Sequence, residues 1–342
     1  MIILGLTPSN PMTGDTPEQL YLKSLEKLGH TVLLREGSEV TYEDVSSVDV
    51  VVSLSEVNCE VGAKISQKFN KPFYAHMEWL PRWRVFLDVP ENWGYEKNDI
   101  TYAERIRFVT MYQRYAYFWN MADCKSVAAN CFVKDMQDFI GQPTDIEVKY
   151  LGPNTELLKE EVKKQHIENN EVTCIARFVP HKRLHHVIQA LIQIGFDGKL
   201  NLVGYGDESK KYAEYMKDAK FEGMIYPSSE KFECIRRSKV VVALWSGIVP
   251  AEALYLGVPC VTYTSDYMDE LYGNSIIYAN NNSIKSLGNM IKMFLDESPE
   301  VRNEVVARSI QEIESGKTNV LSLEATTKEL ERLILKAVEA HK

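Results

Sequence analysis

Two cations, a histidine and one isolated carboxylate are the side chains of this sequence whose placement could do chemistry. In ARFVPHKRLHH, Arg177 and Lys182 lie on a Pro-containing loop that follows an apolar run. The loop opens an amphipathic helix with Leu184, Val187, Ile188, Leu191 and Ile192 on one face. Two cations beside a helix start oppose the dipole preference, and together they suit a diphosphate whose charge they would neutralise as it leaves. A solvated basic loop is the other reading. In VVVALWSGIVPAEALYLGVPCVTY, residues 240–263, Glu252 is the one side chain charged at neutral pH. It falls in the first turn of a helix that Pro250 would begin. There it either complements the helix dipole or accepts the two hydroxyls of a ribose. YAHMEW places His76 at a strand end, where an imidazole either serves a sugar hydroxyl or a developing charge, or is a satisfied half-buried ring. TPSNPMTGDTPEQ carries Gly14 ahead of a helix start that is an anion site or an ordinary capped terminus. LVGYGDE carries Gly204 and Gly206 in a Gly-x-Gly turn, a signal common to doubly wound domains.

These residues follow short apolar runs, and the runs alternate with helical patterns. In the first half, Ile2 to Leu6, Thr31 to Leu34, Val48 to Leu54, Pro72 to Ala75 and Ser126 to Ala129 read as strands. Helices are expected near 17–28, 59–69, 101–121 and 131–140, and VKYLGPNTELL reads as a crossover. The alternation restarts with Val172 to Ala176 and runs through Lys199 to Gly204, Gly223 to Tyr226, Val240 to Leu244 and Pro259 to Tyr263. Such alternation specifies parallel sheets covered by helices, with ligands at the carboxyl ends of the strands. The expectation is α/β: two Rossmann-like, doubly wound domains over 1–152 and 153–320. A last helix near 321–342 is long enough to pack back on the first domain. Residues 79–100 break the pattern with three tryptophans, prolines and charges. Trp79, Arg82 and Trp83 there are candidates for an acceptor site or for peripheral membrane contact, because aromatic faces stack on sugars and Trp/Arg clusters suit lipid interfaces. A domain edge packed by tryptophans is the alternative.

Bulk properties bound the function. A length of 342 residues accommodates two cores, and no apolar run reaches the roughly 18 residues of a membrane span. MIILGLTPSN lacks the basic start and apolar length of a signal peptide, which points to the cytoplasm. The six cysteines form no C-x-x-C pair, so reduced buried thiols are expected and a structural metal is not. A formal charge of −9 argues against a general nucleic-acid partner.

Taken together, ARFVPHKRLHHVIQAL, LVGYGDE, LWSGIVPAEALYLGVPCVTY and DYMDELYGNSIIYANNN resemble the carboxyl-terminal domain of retaining GT-B glycosyltransferases of the family 4, or group 1, type. KLGHTVLL, YAHMEW and WNMADCKSVAANC resemble the amino-terminal half more loosely. The resemblance implies two domains facing a cleft, the first on the acceptor side and the second holding the nucleotide sugar. It implies that Arg177 and Lys182 hold the donor diphosphate and that Glu252 binds the ribose. Gly247, Ile248 and Val249 would bring backbone amides to the sugar and phosphate, His76 would touch the donor sugar, and Gly14 would face the diphosphate. One departure is evident: the family's Glu-x7-Glu motif has its first glutamate where this chain has Leu244. The amino-terminal loop also has one glycine where a pair is usual.

The implied function is metal-independent transfer of a sugar from a UDP- or GDP-type nucleotide sugar to a sugar, lipid or protein-linked acceptor hydroxyl, with retention and without a cofactor. No Asp-x-Asp motif is present. A catalytically silent sugar-nucleotide-binding or scaffolding subunit, motivated by Leu244, and a GT-B nucleotide-sugar epimerase are the competing readings. The oligomeric state is left open.

Overall fold

Among the described residues, valine, isoleucine and leucine runs bounded by Gly, Pro and Asn form twelve strands in the computed structural model. It describes residues 1–7, 17–78, 101–141, 144–164, 167–179, 182–206, 209–218, 223–226, 230–244 and 246–342. These residues divide into two units, the first from residues 1–151 together with 321–342 and the second from 152–320.

The first unit holds β1 (Ile2–Thr7), β2 (Thr31–Glu36), β3 (Val50–Ser53), β4 (Phe73–Met77), β5 (Cys124–Val127) and β6 (Glu147–Val148). They form one sheet in the order β2-β1-β3-β4-β5-β6, every pairing parallel. Helices Cys59–Phe69 and Tyr102–Asn120 pack together and against β4 on one face. The helix Leu323–Ala340 lies along β3, β4 and β5 and against the helix Pro17–Ser24. Its apolar stripe, Leu330, Leu333, Ile334 and Ala337, is fully buried. Thr327 Oγ1 lies 2.6 Å from Ser24 Oγ, Glu331 is 2.7 Å from the His30 ring, and Arg332 and Lys336 both pair with Glu147. An apolar seam flanked by specific polar pairs fixes the register of this helix.

The second unit holds β7 (Glu171–Ile175), β8 (Lys199–Val203), β9 (Gly223–Tyr226), β10 (Val240–Val242), β11 (Cys260–Tyr263) and β12 (Ile277–Ala279). The order is β12-β11-β10-β7-β8-β9, again wholly parallel. The sheet therefore grows in one direction through β9 and in the other from β10. The switch lies between β7 and β10, and in open parallel sheets ligands bind outside the strand ends at such a point. Both faces are covered. Leu184, Val187, Leu191 and Leu287 pack on one side, and Cys234, Ile235, Ala253 and Val258 on the other. Sheets buried on both faces need continuous apolar strands rather than alternating ones, which is why VVV and CVTY carry no surface pattern.

Three local readings differ from expectation. Ile192 is 52% exposed, whereas Leu184, Val187, Ile188 and Leu191 are buried. At 100° per residue it lies roughly a quarter turn from the centre of that stripe, on its edge. The helix Tyr42–Ser47 was not anticipated, although Thr41 and Asp44 form a reciprocal capping box at its start. VKYLGPNTELL is not only a connection: Val148 ends β6, and Asn154 caps the helix Thr155–Glu161. The six cysteines are free thiols, five of them buried. Among the described residues, no helix is long and apolar enough to cross a membrane.

Candidate functional site

At the switch of the second unit, Phe178 anchors the loop that follows β7. Its ring is fully buried, edge-on to Tyr212 with centroids 5.9 Å apart, and its N–H donates to Tyr205 O at 2.7 Å. Arg177, one residue earlier, is exposed, and Lys182 is half-buried. The loop bonds to itself through Val179 N–H to Arg177 O and Lys182 N–H to Val179 O, each 3.0 Å. The Gly-x-Gly turn after β8 is what permits this loop to lie so close. Gly204 and Gly206 have φ of +147° and +153°, and a Cβ on them would stand 1.9 Å from Ala176 O and 2.3 Å from Phe178 O. Any side chain there would push the Arg177 loop outward. The two glycines thus shape the loop that carries the cations.

Arg183, which the motif alone did not single out, starts the helix Leu184–Gln193 with φ +50°, a left-handed conformation that is strained for arginine. Its guanidinium is buried and donates to Asn281 Oδ1 at 3.2 Å. Burial lowers it to about 10, and the nearby Tyr263 opposes the shift. His186, 2.9 Å from Tyr263 Oη through Nδ1, is held down at about 3 by burial and by the charges of His185 and Arg183. This ring is neutral and structural.

Across the switch, β10 leads through Ser246 and Gly247 to the helix Val249–Tyr255, with Pro250 in its first turn. Tyr272 braces the turn by donating to Gly247 O at 2.6 Å and accepting from Ala251 N–H at 3.1 Å. A Cβ at Gly247 would meet Tyr267 Oη at 2.3 Å, so no larger residue fits without moving that tyrosine. Ile248 is half-buried and Val249 buried. Glu252 is 6% exposed, and its Oε1 accepts from Lys231 Nζ at 2.7 Å. Its Oε2 is buried and has no hydrogen-bond partner among the described residues. A buried carboxylate oxygen left unbonded costs about 1–3 kcal/mol, a cost that a hydrogen-bond donor would remove. Leu244 is 1% exposed and belongs to the core with Phe178, Tyr212 and Tyr263. Leu244, where the resemblance leads to the expectation of an acid, is a packing residue.

In the first unit His76 lies at the carboxyl end of β4 and is fully buried. Its Nδ1 is 2.8 Å from Ser126 Oγ, which is 2.6 Å from Tyr74 Oη. Nε2 has no partner among the described residues. Burial, with a smaller push from the Lys149 charge, holds the imidazole well below its ordinary value, so it is neutral. Lys149 itself is wholly buried just beyond β6, its Nζ 4.7 Å from the centre of the Tyr21 ring and without a hydrogen-bond partner among the described residues. Burial lowers it to about 8 against the pull of Glu78, Glu18 and Glu329. The sequence signal that could have found it is its position, a lysine immediately after a strand. Gly14, Trp79, Arg82 and Trp83 lie outside the described residues. Among those described, no group of His, Cys, Asp and Glu side chains is arranged to hold a metal ion.

With this geometry in place, residues 158–312 match the family described as glycosyl transferases group 1. Over these residues the chain is similar to that family, and the match spans a little under half of its length. The whole chain has the GT-B fold, two Rossmann-like units, shared with solved structures at low identity. Anabaena HepE, in complex with UDP and glucose, superimposes with a TM-score of 0.71 at 16% identity over 96% of this chain and 98% of that one. Sucrose-phosphate synthase from Thermosynechococcus elongatus gives 0.75 at 13% identity over 99% of each. A glycosyltransferase from Rickettsia africae gives 0.59 at 13% identity over 99% of this chain and 98% of that one. No curated protein matches the chain in sequence. The matched stretch contains Arg177, Lys182, Gly204, Gly206, Gly247 and Glu252, so every candidate of the second unit falls within it.

Proposed function

We propose that the chain transfers a sugar from a nucleoside diphosphate sugar to an acceptor hydroxyl, with retention of configuration. The observation that carries this reading is Glu252: a buried carboxylate with one unbonded oxygen, placed by a braced turn at the sheet switch of the second unit. A ribose hydroxyl supplies the donor that Oε2 lacks. Arg177 and Lys182, on the neighbouring strand-end loop, offset the charge of the diphosphate as it departs, and this does the work a metal would do elsewhere. For His76 we propose a contact from its unpartnered Nε2 to the transferred sugar. Anabaena HepE is described with UDP and with UDP-glucose, which makes UDP-glucose the first donor to try.

Leu244 favours a second reading, a subunit that binds the sugar nucleotide without turning it over, because the core occupies the place of the acid that would grip the donor sugar. Incubation with UDP-, GDP- and ADP-sugars and a panel of sugar and lipid acceptors separates the two. Release of nucleotide matched by acceptor glycosylation is the expected result, and proton NMR of the new anomeric centre reads retention. Tight nucleotide binding with no release under any acceptor supports the silent subunit.

A further inference from the structure

Glu252 does not stand alone, and its partner Lys231 comes from a different helix. Lys231 is the first residue of the helix Lys231–Arg237, the end at which the helix dipole disfavours a cation. Its ammonium nevertheless lies inward, 4.7 Å from the centre of the Phe232 ring and 2.7 Å from Glu252 Oε1. The side chains are 24% and 8% exposed, so the pair is largely removed from water. A buried carboxylate stripped of its cation is strongly disfavoured, and one held by a cation on a single oxygen is fixed in orientation. Oε2 is left buried and without a hydrogen-bond partner among the described residues.

We propose that Lys231 is the positioning residue that sets the preference of this site for ribose over deoxyribose: by holding Oε1 it presents Oε2 to a ribose hydroxyl. The proposal rests on the reading of Glu252 as the ribose acceptor. A site built to bond a hydroxyl rejects an analogue that lacks it, because its own buried polar atom is then stranded. The rejection is strong only while the carboxylate is held in place. Without Lys231 the side chain is free to turn toward water, where Oε2 is satisfied whether or not the ligand carries a hydroxyl.

Titration calorimetry with UDP and 2′,3′-dideoxy-UDP, and with the matching GDP and ADP pairs, tests this on the parent, Lys231→Met, Lys231→Gln and Lys231→Arg. The parent should favour the ribose form at least tenfold in one pair. Lys231→Met should reduce that preference to below threefold, chiefly by weakening the ribose form, and leave the dideoxy affinity within about twofold. Lys231→Arg should restore most of the preference, and Lys231→Gln, which keeps a donor without the charge, should fall between. Equal weakening of both forms in Lys231→Met, or an unchanged preference in it or in Lys231→Gln, overturns the role given to Lys231 and leaves the Glu252 reading standing. A parent with no preference in any pair overturns the Glu252 reading, and the role of Lys231 falls with it.

Discussion

Glu252, His76 and Lys149 are buried groups that each leave a polar atom without a hydrogen-bond partner among the described residues. Glu252 was legible in the sequence because it is a lone acid in an apolar stretch, and a charge in such a place needs a partner or a ligand. Half of its environment was not legible, since Lys231 comes from a different helix 21 residues earlier. His76 was legible by position only. Its neutrality comes from full burial and from Lys149, which reaches it through the fold. Lys149 gives a prediction at this scale. Its value is about 8 in the folded chain against 10.5 for a free lysine. Between those values the unfolded chain holds more proton, so the contribution of this group to stability rises with pH across that window and its penalty is complete below it. Each tenfold loss of proton affinity on folding costs ~1.4 kcal/mol. Lys149→Met should therefore stabilise the protein at pH 7, by up to about 3 kcal/mol, and by much less at pH 10. Thermal melts at the two pH values read the difference. A variant that melts lower than the parent at pH 7 contradicts a net cost of burying the Lys149 charge.

At the scale of elements, strands were the most legible feature. Continuous Val, Ile and Leu runs have no other way to be buried on both faces, and the strands end within a residue or two of where the runs do. What escaped was short structure fixed by side-chain bonds or by pairing with a distant partner. The helix Tyr42–Ser47 depends on two bonds between Thr41 and Asp44, and β6 is two residues long and exists through its pairing with β5. The left-handed Arg183 had no signal, because a positive φ on a non-glycine residue is imposed by the surroundings. Gly204 and Gly206 were visible as a motif, but their reason, room for the 176–178 backbone, required coordinates. The helix Leu323–Ala340 allows a direct test, because its inner and outer faces are sharply distinguished. Leu333 is fully buried and Leu335 is 42% exposed. Leu333→Ala should lower stability by about 2–5 kcal/mol in urea denaturation, and Leu335→Ala by less than about 0.5 kcal/mol. Equal losses at the two positions would mean that this helix does not present that face to the first unit.

At the scale of the molecule, the chain builds two doubly wound units with separate sheets, and it returns after residue 320 to complete the first. The candidate nucleotide residues Arg177, Lys182, Gly247 and Glu252 all belong to the second. Scanning calorimetry should accordingly resolve more than one unfolding transition, and a bound nucleoside diphosphate should raise the one that belongs to the second unit. The family match covers residues 158–312, within the second unit, while the first unit shares its fold with the solved structures. The role proposed for Glu252 is to receive the ribose of a nucleoside diphosphate. Titration of the protein and its Glu252→Ala variant with UDP, GDP and ADP tests it most directly. Saturable binding of at least one of the three to the parent is expected, with a loss on the order of 10- to 100-fold in the variant, the range for a hydrogen bond to a charged group. Equal affinity of parent and variant would contradict it.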